Sequence, residues 1–565
     1  MELRHRGLAR LRQVLCAALL ALLLIPATAA AQDAKLPASQ TEPPRFFTRS
    51  GQQAERIAER ASKVREARRD GPLDPTAYTR GVGRWQVSFF RHGKEVVQIQ
   101  VDDRSGAILE QWSGYQVAWR MARGYPGAFG RKLNAPYVWI PLCLLFLAPF
   151  VDLRRPLRLL HLDLLVLLGF GVSHLFFNRG EIGVSVPLVY PVLLYLLART
   201  LLAGLRPRGR PGRLVPYVPI AWLAVALFAL VGFRVALNVV DSNVIDVGYA
   251  GVIGADRIVD GDGLYGEGFS QDVGKGDTYG PVNYLLYVPF EQAMPWSGRW
   301  DDLPAAHGAA IVFDLLTIGA LLLLGRALRP GREGTALGVA LAYAWAAFPY
   351  TAFALETNSN DTLVALACAC ALLAFARRSA VGTGLAVGLG AAAKFAPLAL
   401  APLFARRRPI VFALTLAATL AITVLPFIPD GGLRELYDRT LGYQASRGSP
   451  FSIWGQANLG LLHTVTKAAA VGLALLVAFV PRRAGNRQVA ALGAAVLIAL
   501  QLPVNHWFYL YVVWFLPFVL VASFGAIRPP TPAAGESTLH VHPSRLPPAP
   551  RSATDLRSPS RSAPA

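Results

Sequence analysis

Eleven stretches of this chain are apolar over lengths close to the ~20 residues that a helix needs to cross a bilayer. They run over 134–151, 161–177, 183–203, 214–240, 306–328, 334–355, 361–376, 408–430, 464–480, 487–503 and 507–528. A chain built this way folds as a polytopic helical bundle, because only helices or closed barrels satisfy their own backbone in hydrocarbon. The expected class is therefore mainly α. A hydrophobic fraction of 53% in 565 residues agrees, being too high for a soluble protein of this size.

The net charge of +21 raises nucleic acid as a partner, but the arginines are placed otherwise. They cluster in short connections, at Arg154/Arg155/Arg158, Arg206/Arg208/Arg210/Arg213, Arg326/Arg329/Arg332, Arg377/Arg378 and Arg482/Arg483/Arg487. With the amino terminus outside, every one of these falls on the cytoplasmic side, as the positive-inside rule asks. The connections 241–305 and 431–463 then face outward. One segment breaks the alternation. Residues 379–405 have arginines at both ends and Lys394 in the middle, which reads as a re-entrant pair of short helices hinged at Lys394-Phe395-Ala396-Pro397.

Residues 1–31 combine a basic start, an apolar run and the small-residue stretch ATAAA, the pattern of a signal peptide. Residues 32–133 are polar, with a charged amphipathic helix over 51–70 followed by two or three strands broken at His92-Gly93 and Ser105-Gly106. This makes a small extracytoplasmic α+β domain, and its RSGAILEQWSG stretch resembles the PepSY domain, which implies binding or regulation. The spans of 134–213 are accessory, 214–528 forms the main bundle, and the Pro-, Ser- and Arg-rich tail 529–565 reads as a disordered cytoplasmic segment. Of the four cysteines, Cys16 lies in the leader and Cys143, Cys368 and Cys370 in apolar spans, where they read as packing residues.

Between Asp241 and Glu291 lies a polar stretch with seven aspartates and two glutamates. A connector between spans needs only a few residues, so this one points to chemistry at the outer rim. Asp241 and Asp246 follow the span ending near Val240, where a carboxylate can take a proton from an incoming hydroxyl; the plainer alternatives are a helix cap or a partner for Arg257. Lys394 is ionisable within a membrane segment and so is a functional candidate, or else a lysine snorkelling to the interface. Arg447 in GYQASRGSPFSIWGQ is a second cation, or a solvated loop arginine. His506 sits among Trp507, Tyr509 and Tyr511, and offers a hydrogen bond to a carboxylate or phosphate unless the whole run is an interfacial aromatic belt. Asn358, Asn360 and Asp361 read as the cap of the helix starting at Asp361, with sugar contact as a second option.

The order IDVGYAGVIGADRIVDGDGLYG, TYGPVNYLLYVPFE, NSNDTLVALACACALLAFARR and GLAVGLGAAAKFAPLALAPLF resembles the glycosyltransferase C superfamily. The likeness is to its polyprenol-phosphate-mannose-dependent mannosyltransferases, glycosyltransferase family 87, over roughly 214–528. It implies a GT-C-like bundle of about eleven spans plus the re-entrant pair. It also implies Asp246 as general base with Asp241 as alternate, and Tyr249, Tyr265 and Tyr279 beside Lys394, Arg447 and His506 as substrate-binding residues.

The implied activity is transfer of mannose or another hexose or pentose from a polyprenyl-phosphate donor to a lipid or cell-envelope glycan, with inversion. It would take place on the outer face of a bacterial plasma membrane. No cofactor and no metal are expected, and the partners are the bilayer, the lipid-linked sugar and the acceptor, not nucleic acid. Three added spans and a soluble domain depart from the short family members. The alternative class is a multi-pass transporter or flippase, or an envelope sensor without enzymatic activity.

Overall fold

The computed structural model describes residues 34–125, 129–206, 210–211, 218–266, 269, 275–298, 303–525 and 527–528. The leader and the carboxyl-terminal tail read from the sequence lie outside these residues.

The amino-terminal domain is an antiparallel sheet in the order β1 (Ala34–Lys35), β2 (Asp74–Arg80), β3 (Arg84–Arg91), β4 (Lys94–Asp102) and β5 (Ile108–Ser113). The hairpin turns at His92-Gly93 and Ser105-Gly106 fall where the sequence places them. The strand at 74–80 was not expected from its DPTAYTR composition; it forms because its pairing with β3 runs from Asp74 opposite Phe90 to Thr79 opposite Trp85. The charged helix expected over 51–70 is broken into α1 (Gly51–Ala58) and α2 (Ser62–Arg68). Ser50 and Gln53 form a reciprocal capping box at the start of α1. Ala54, Ala58, Ala61 and Val64 pack on Trp85, Val87, Phe89, Val97, Ile99 and Val101, which closes the domain core.

Each apolar stretch read from the sequence contains a helix. In order they are α3 (Pro136–Leu147), α4 (Leu159–Phe177), α5 (Ile182–Leu205) and α6 (Ile220–Asp241). After α6 come three helices of the polar stretch, α7 (Asp246–Asp260), α8 (Pro281–Leu285) and α9 (Val288–Ala293). The bundle resumes with α10 (Pro304–Leu328), α11 (Gly331–Ala347), α12 (Pro349–Glu356), α13 (Asp361–Ala376), α14 (Ala380–Ala393) and α15 (Pro409–Val424). Two short helices, α16 (Gly432–Tyr437) and α17 (Tyr443–Ser446), precede α18 (Gly460–Leu476), α19 (Asn486–Gln501) and α20 (Val512–Phe524).

Among the described residues, five helices are long and apolar enough to cross a membrane alone. The span expected at 334–355 is instead a pair, α11 and α12, bent by 61° at Phe348. Pro349 explains the break, since it cannot continue the backbone ladder and restricts the residue before it. The re-entrant segment is also seen. α14 ends at Lys394, and the chain returns through Ala396–Leu400 and Ala401–Phe404.

The centre and rim of the bundle differ in kind. α10 is 67% buried over its apolar window, whereas the stretch Pro409–Phe427 is 11% buried and leaves Ile410, Leu414 and Ile422 for lipid. Within the centre, Arg234 is 1% exposed and donates to Asp314 at 2.6 Å, to the carbonyls of Ala346 and Thr351, and to the Thr351 hydroxyl. Trp345 Nε1 donates to the same carboxylate at 2.8 Å, which offsets the cost of burying the pair, while Arg234 Nε is left without a hydrogen bond. Asp163 is similarly held by both forks of Arg199 and by Tyr195 in the accessory helices. His174 stacks on Tyr509 with centroids 4.3 Å apart.

At the arginine-bearing end, Arg406 donates to the Val477 carbonyl, Arg407 to that of Phe375 and Arg487 to that of Ala522. Cations therefore meet the carboxyl ends of α13, α18 and α20, where the helix dipole is negative.

Candidate active site

The polar stretch 241–291 is less a loop than a folded cap. α7 begins with an acidic residue at its positive end and stops at Gly261, whose φ of +79° suits a left-handed helix terminus. Gly248, Gly251 and Gly254 recur every three residues and give α7 one smooth face. A Cβ on Gly248 would stand 2.3 Å from the Asn358 carbonyl, and one on Gly254 would stand 2.1 Å from the Tyr284 ring. That close approach presses the start of α7 against the α12–α13 turn.

Asp246 opens α7 and accepts a hydrogen bond from the Val247 amide at 3.0 Å. Its side chain keeps open surface, yet it stands so deep among surrounding atoms that burial raises its pKa. Arg447 opposes that shift, followed by Lys394, while Asp361 adds to it. A carboxyl that is recessed, reachable and more basic than usual is what a general base requires.

Asp241 is placed differently. Its carboxylate accepts from the Lys132 amide at 3.1 Å and pairs with the Lys132 ammonium at 3.4 Å, on the connector from the amino-terminal domain. The alternate base read from the sequence is therefore a tether. Arg257 is not its partner, nor that of Asp246; it donates to the Gly263 carbonyl at the end of α7.

Lys394 faces the same region from the end of α14. Its ammonium donates to Asp361 at 2.7 Å and to Asn360 at 2.9 Å, and Tyr279, Tyr511 and Trp514 surround it with ring centroids at 5.4, 5.7 and 5.2 Å. An ammonium has three donors, so one remains beyond these two partners. The snorkelling alternative does not describe this lysine, which ends in a carboxylate and an aromatic cage.

The cap role expected of Asn360 and Asp361 is corrected in turn. Asn360 makes no side-chain cap bond to α13 and instead donates to Asn283 at 2.7 Å, and Asp361 also accepts from Trp514 Nε1 at 2.8 Å. Sequence reasoning missed this cage. A lysine inside a membrane segment calls for a carboxylate, and the Asp361 that begins the next span was the available signal.

Arg447 follows α17. Its guanidinium has no hydrogen bond or ion pair among the described residues, and its charge acts on Asp246, Tyr279, Tyr511 and His506. His506 shares a hydrogen bond of 2.8 Å with Ser449 through Nδ1 and lies edge-on to Phe451. Burial first, then Arg447 and Lys394, push its pKa down to about 3, so it is a neutral ring that bonds and does not carry charge. The aromatic belt around it is also corrected. Trp507 and Tyr509 are buried and hydrogen-bonded to Gln501 and to Ser173, and Tyr511 belongs to the lysine cage.

Of the three tyrosines, only Tyr279 reaches this region. Gly280 lets it do so: its amide donates to the Ala393 carbonyl at 3.2 Å, and a Cβ there would stand 2.0 Å from the Ala392 carbonyl. Tyr265 spends its hydroxyl on the Tyr279 carbonyl at 2.8 Å, so it shapes the turn and does not face substrate. Tyr249 is buried in the α7–α10 core against Trp296.

Beside the site, Arg439 joins Asp277 at 2.8 Å to Glu435 at 2.7 Å, which clasps the first outer segment to the second. An open cleft of about 460 Å³ lies there, lined by Lys275, Asp277, Arg434, Asp438, Arg439 and Tyr443 among others. Among the described residues no three His, Cys, Asp or Glu side chains gather as a metal site would need.

A solved structure described as ArnT from Cupriavidus metallidurans bound to undecaprenyl phosphate is 15% identical, with 54% of this chain and 59% of that chain covered and a TM-score of 0.35. No curated protein matches the chain. Residues 278–527, which hold Tyr279, Asp361, Lys394, Arg447 and His506, match the family model of Glycosyltransferase family 87, the family that the motifs resemble.

Proposed function

We propose that this protein is an integral membrane glycosyltransferase that moves a sugar from a polyprenyl-phosphate donor to a hydroxyl of a lipid or cell-envelope glycan. The observation that carries the reading is the open Asp246 carboxyl at the start of α7, bonded to the Val247 amide and lying in the field of Arg447 and Lys394, with its pKa shifted upward. The family match favours the enzyme over a transporter or a sensor without activity.

In this reaction Asp246 takes the proton of the acceptor hydroxyl as its oxygen attacks the anomeric carbon. The bond from that carbon to the phosphate oxygen breaks, and its electron pair leaves on the lipid phosphate. One displacement inverts the anomeric centre, and the proton ends on Asp246 while the phosphate gains the negative charge. Arg447 and the remaining donor of Lys394 meet that charge, which is where preorganised cations contribute most. His506, neutral and fixed by Ser449, offers its other ring nitrogen to a phosphate or sugar oxygen.

The acceptor enters over the outer cleft. There the cations Arg434 and Arg439 are already matched by Asp438, Asp277 and Glu435, which suits an uncharged, hydroxyl-rich ligand. In this reading the site faces outward across a bacterial plasma membrane, and the PepSY-like domain is a binding or regulatory module on the same side.

The test is transfer in liposomes, with radiolabelled polyprenyl-phosphate hexose as donor and a membrane extract as acceptor. Asp246→Asn keeps the acceptor oxygen for the Val247 amide but cannot take a proton, so transfer falls by about 10²–10⁴. Wild-type transfer by that variant removes Asp246 as the base, and a folded wild-type protein that forms no product removes the activity.

A further inference from the structure

The connector between the amino-terminal domain and α3 touches both halves of the candidate site. On one side, the Gly130 amide donates to Asn243 Oδ1 at 2.9 Å, and the amide and ammonium of Lys132 hold Asp241. These residues begin the short extended run that ends at Asp246. Its opposite edge is fixed as well, since the amides of Asn243 and Ile245 donate to the carbonyls of Glu356 and Thr357 at 3.1 and 3.2 Å. The proposed base therefore emerges from a short segment held between the connector and the α12–α13 turn.

On the other side, Trp119 stands edge-on to Phe451 at 5.0 Å, and Phe129 faces Phe508 at 6.3 Å. Phe451 in turn contacts the His506 ring at 5.4 Å, and its carbonyl accepts from the Trp507 amide. The connector is itself anchored in the sheet domain. Arg123 is 4% exposed and donates to Gln98 of β4 at 2.9 Å and to the Gln116 carbonyl, while Gln116 donates to Asn178 at the end of α4.

We infer that this connector is a positioning element of the site, setting the spacing between the Asp246 arm and the Arg447–His506 arm and so placing turnover under the control of the amino-terminal domain. The inference rests on the proposed transferase reading for its kinetic consequence, though not for its structural one. Trp119 and Lys132 act through Phe451 and Asp241 and touch no reacting atom. Their loss changes the geometry of transfer more than the binding of donor.

Two readouts on the full-length protein test this. Hydrogen exchange followed by mass spectrometry is expected to show faster exchange at 241–246 in Lys132→Glu and at 449–452 in Trp119→Ala, with the rest of the bundle unchanged. In the liposome assay, each variant lowers kcat by about tenfold or more with the donor KM within about twofold, since small misplacements of reacting groups act on the chemical step.

Trp119→Phe keeps the aromatic contact and restores kcat, and Asp241→Lys combined with Lys132→Glu regains the ion pair, though not the bond from the residue 132 amide, and so part of what either change alone loses. Unchanged exchange at both arms overturns the inference whether or not the wild type is active. Changed exchange with wild-type kcat in both variants overturns the control of turnover. An inactive wild type with changed exchange removes the transferase reading and leaves the positioning role standing.

Discussion

The Lys394–Asp361 pair can be taken apart so that its structural and chemical roles separate. At 2.7 Å and an effective dielectric of ~20, Coulomb's law gives roughly 6 kcal/mol of attraction. The side chains are 13% and 1% exposed, so desolvation offsets much of that gain, and removing both charges together is expected to cost little. Removing one partner is another matter, because it leaves the other charge buried and unmatched, at about 3–5 kcal/mol.

Asp361→Asn and Lys394→Met should therefore each lower the unfolding midpoint of the purified protein in detergent, and the double variant should recover most of the loss. Transfer activity should not follow the same pattern. If the remaining donor of Lys394 meets the leaving phosphate, the double variant regains stability and stays inactive. A stable double variant with wild-type transfer would show that Lys394 is purely structural. An Asp361→Asn midpoint equal to wild type would refute the buried pair itself.

Four further outcomes follow from the structure. Burial raises the Asp246 pKa and Arg447 lowers it, so the acid limb of kcat/KM lies above the ordinary carboxylate range. Arg447→Gln should move that limb to higher pH, and an unmoved limb would separate the two residues. The same raised pKa works against folding once Asp246 ionises, because the stability it contributes is present at low pH and lost as pH rises through the folded-state pKa. Asp246→Asn should thus raise the unfolding midpoint at neutral pH even as transfer falls; a lowered midpoint would contradict it. Gly280→Ala places a Cβ 2.0 Å from the Ala392 carbonyl and should displace the Tyr279 turn, with loss of transfer and a lower midpoint measured side by side. Asp314→Asn leaves Arg234 buried without its counter-ion and should destabilise by about 3–5 kcal/mol, read in the same unfolding assay, where an unchanged midpoint would overturn it.

Much of the architecture was legible in the residues. In hydrocarbon every backbone group must be satisfied locally, so apolar length reports a helix almost directly. The break at Lys394 was legible too, because arginines flank that segment on both sides and Pro397 follows the hinge. The bend at Phe348 was equally available from Pro349 but hidden inside an otherwise continuous apolar run. The strand at 74–80 carried too little β-branched or aromatic character to be read, and it exists through its pairing with β3.

The candidate site was legible only as a set of residue types. Sequence alone determined that carboxylates crowd one outer segment, that one lysine lies in a re-entrant turn, and that an arginine and a histidine lie in later outer segments. It ranked Asp246 above Asp241, five positions apart in one chain segment, only through the family resemblance. Packing sets them apart, because Lys132, 109 residues away from Asp241, occupies that carboxylate and leaves Asp246 open, which favours Asp246 in the proposed reaction. Nor could it join Lys394 to Asp361, or give the connector at Trp119 a place beside Phe451. Hydropathy acts residue by residue along the chain, whereas an ion pair or ring contact between separate helices exists only after those helices have packed, and so the elements were written in the sequence and their chemistry was assigned by the fold.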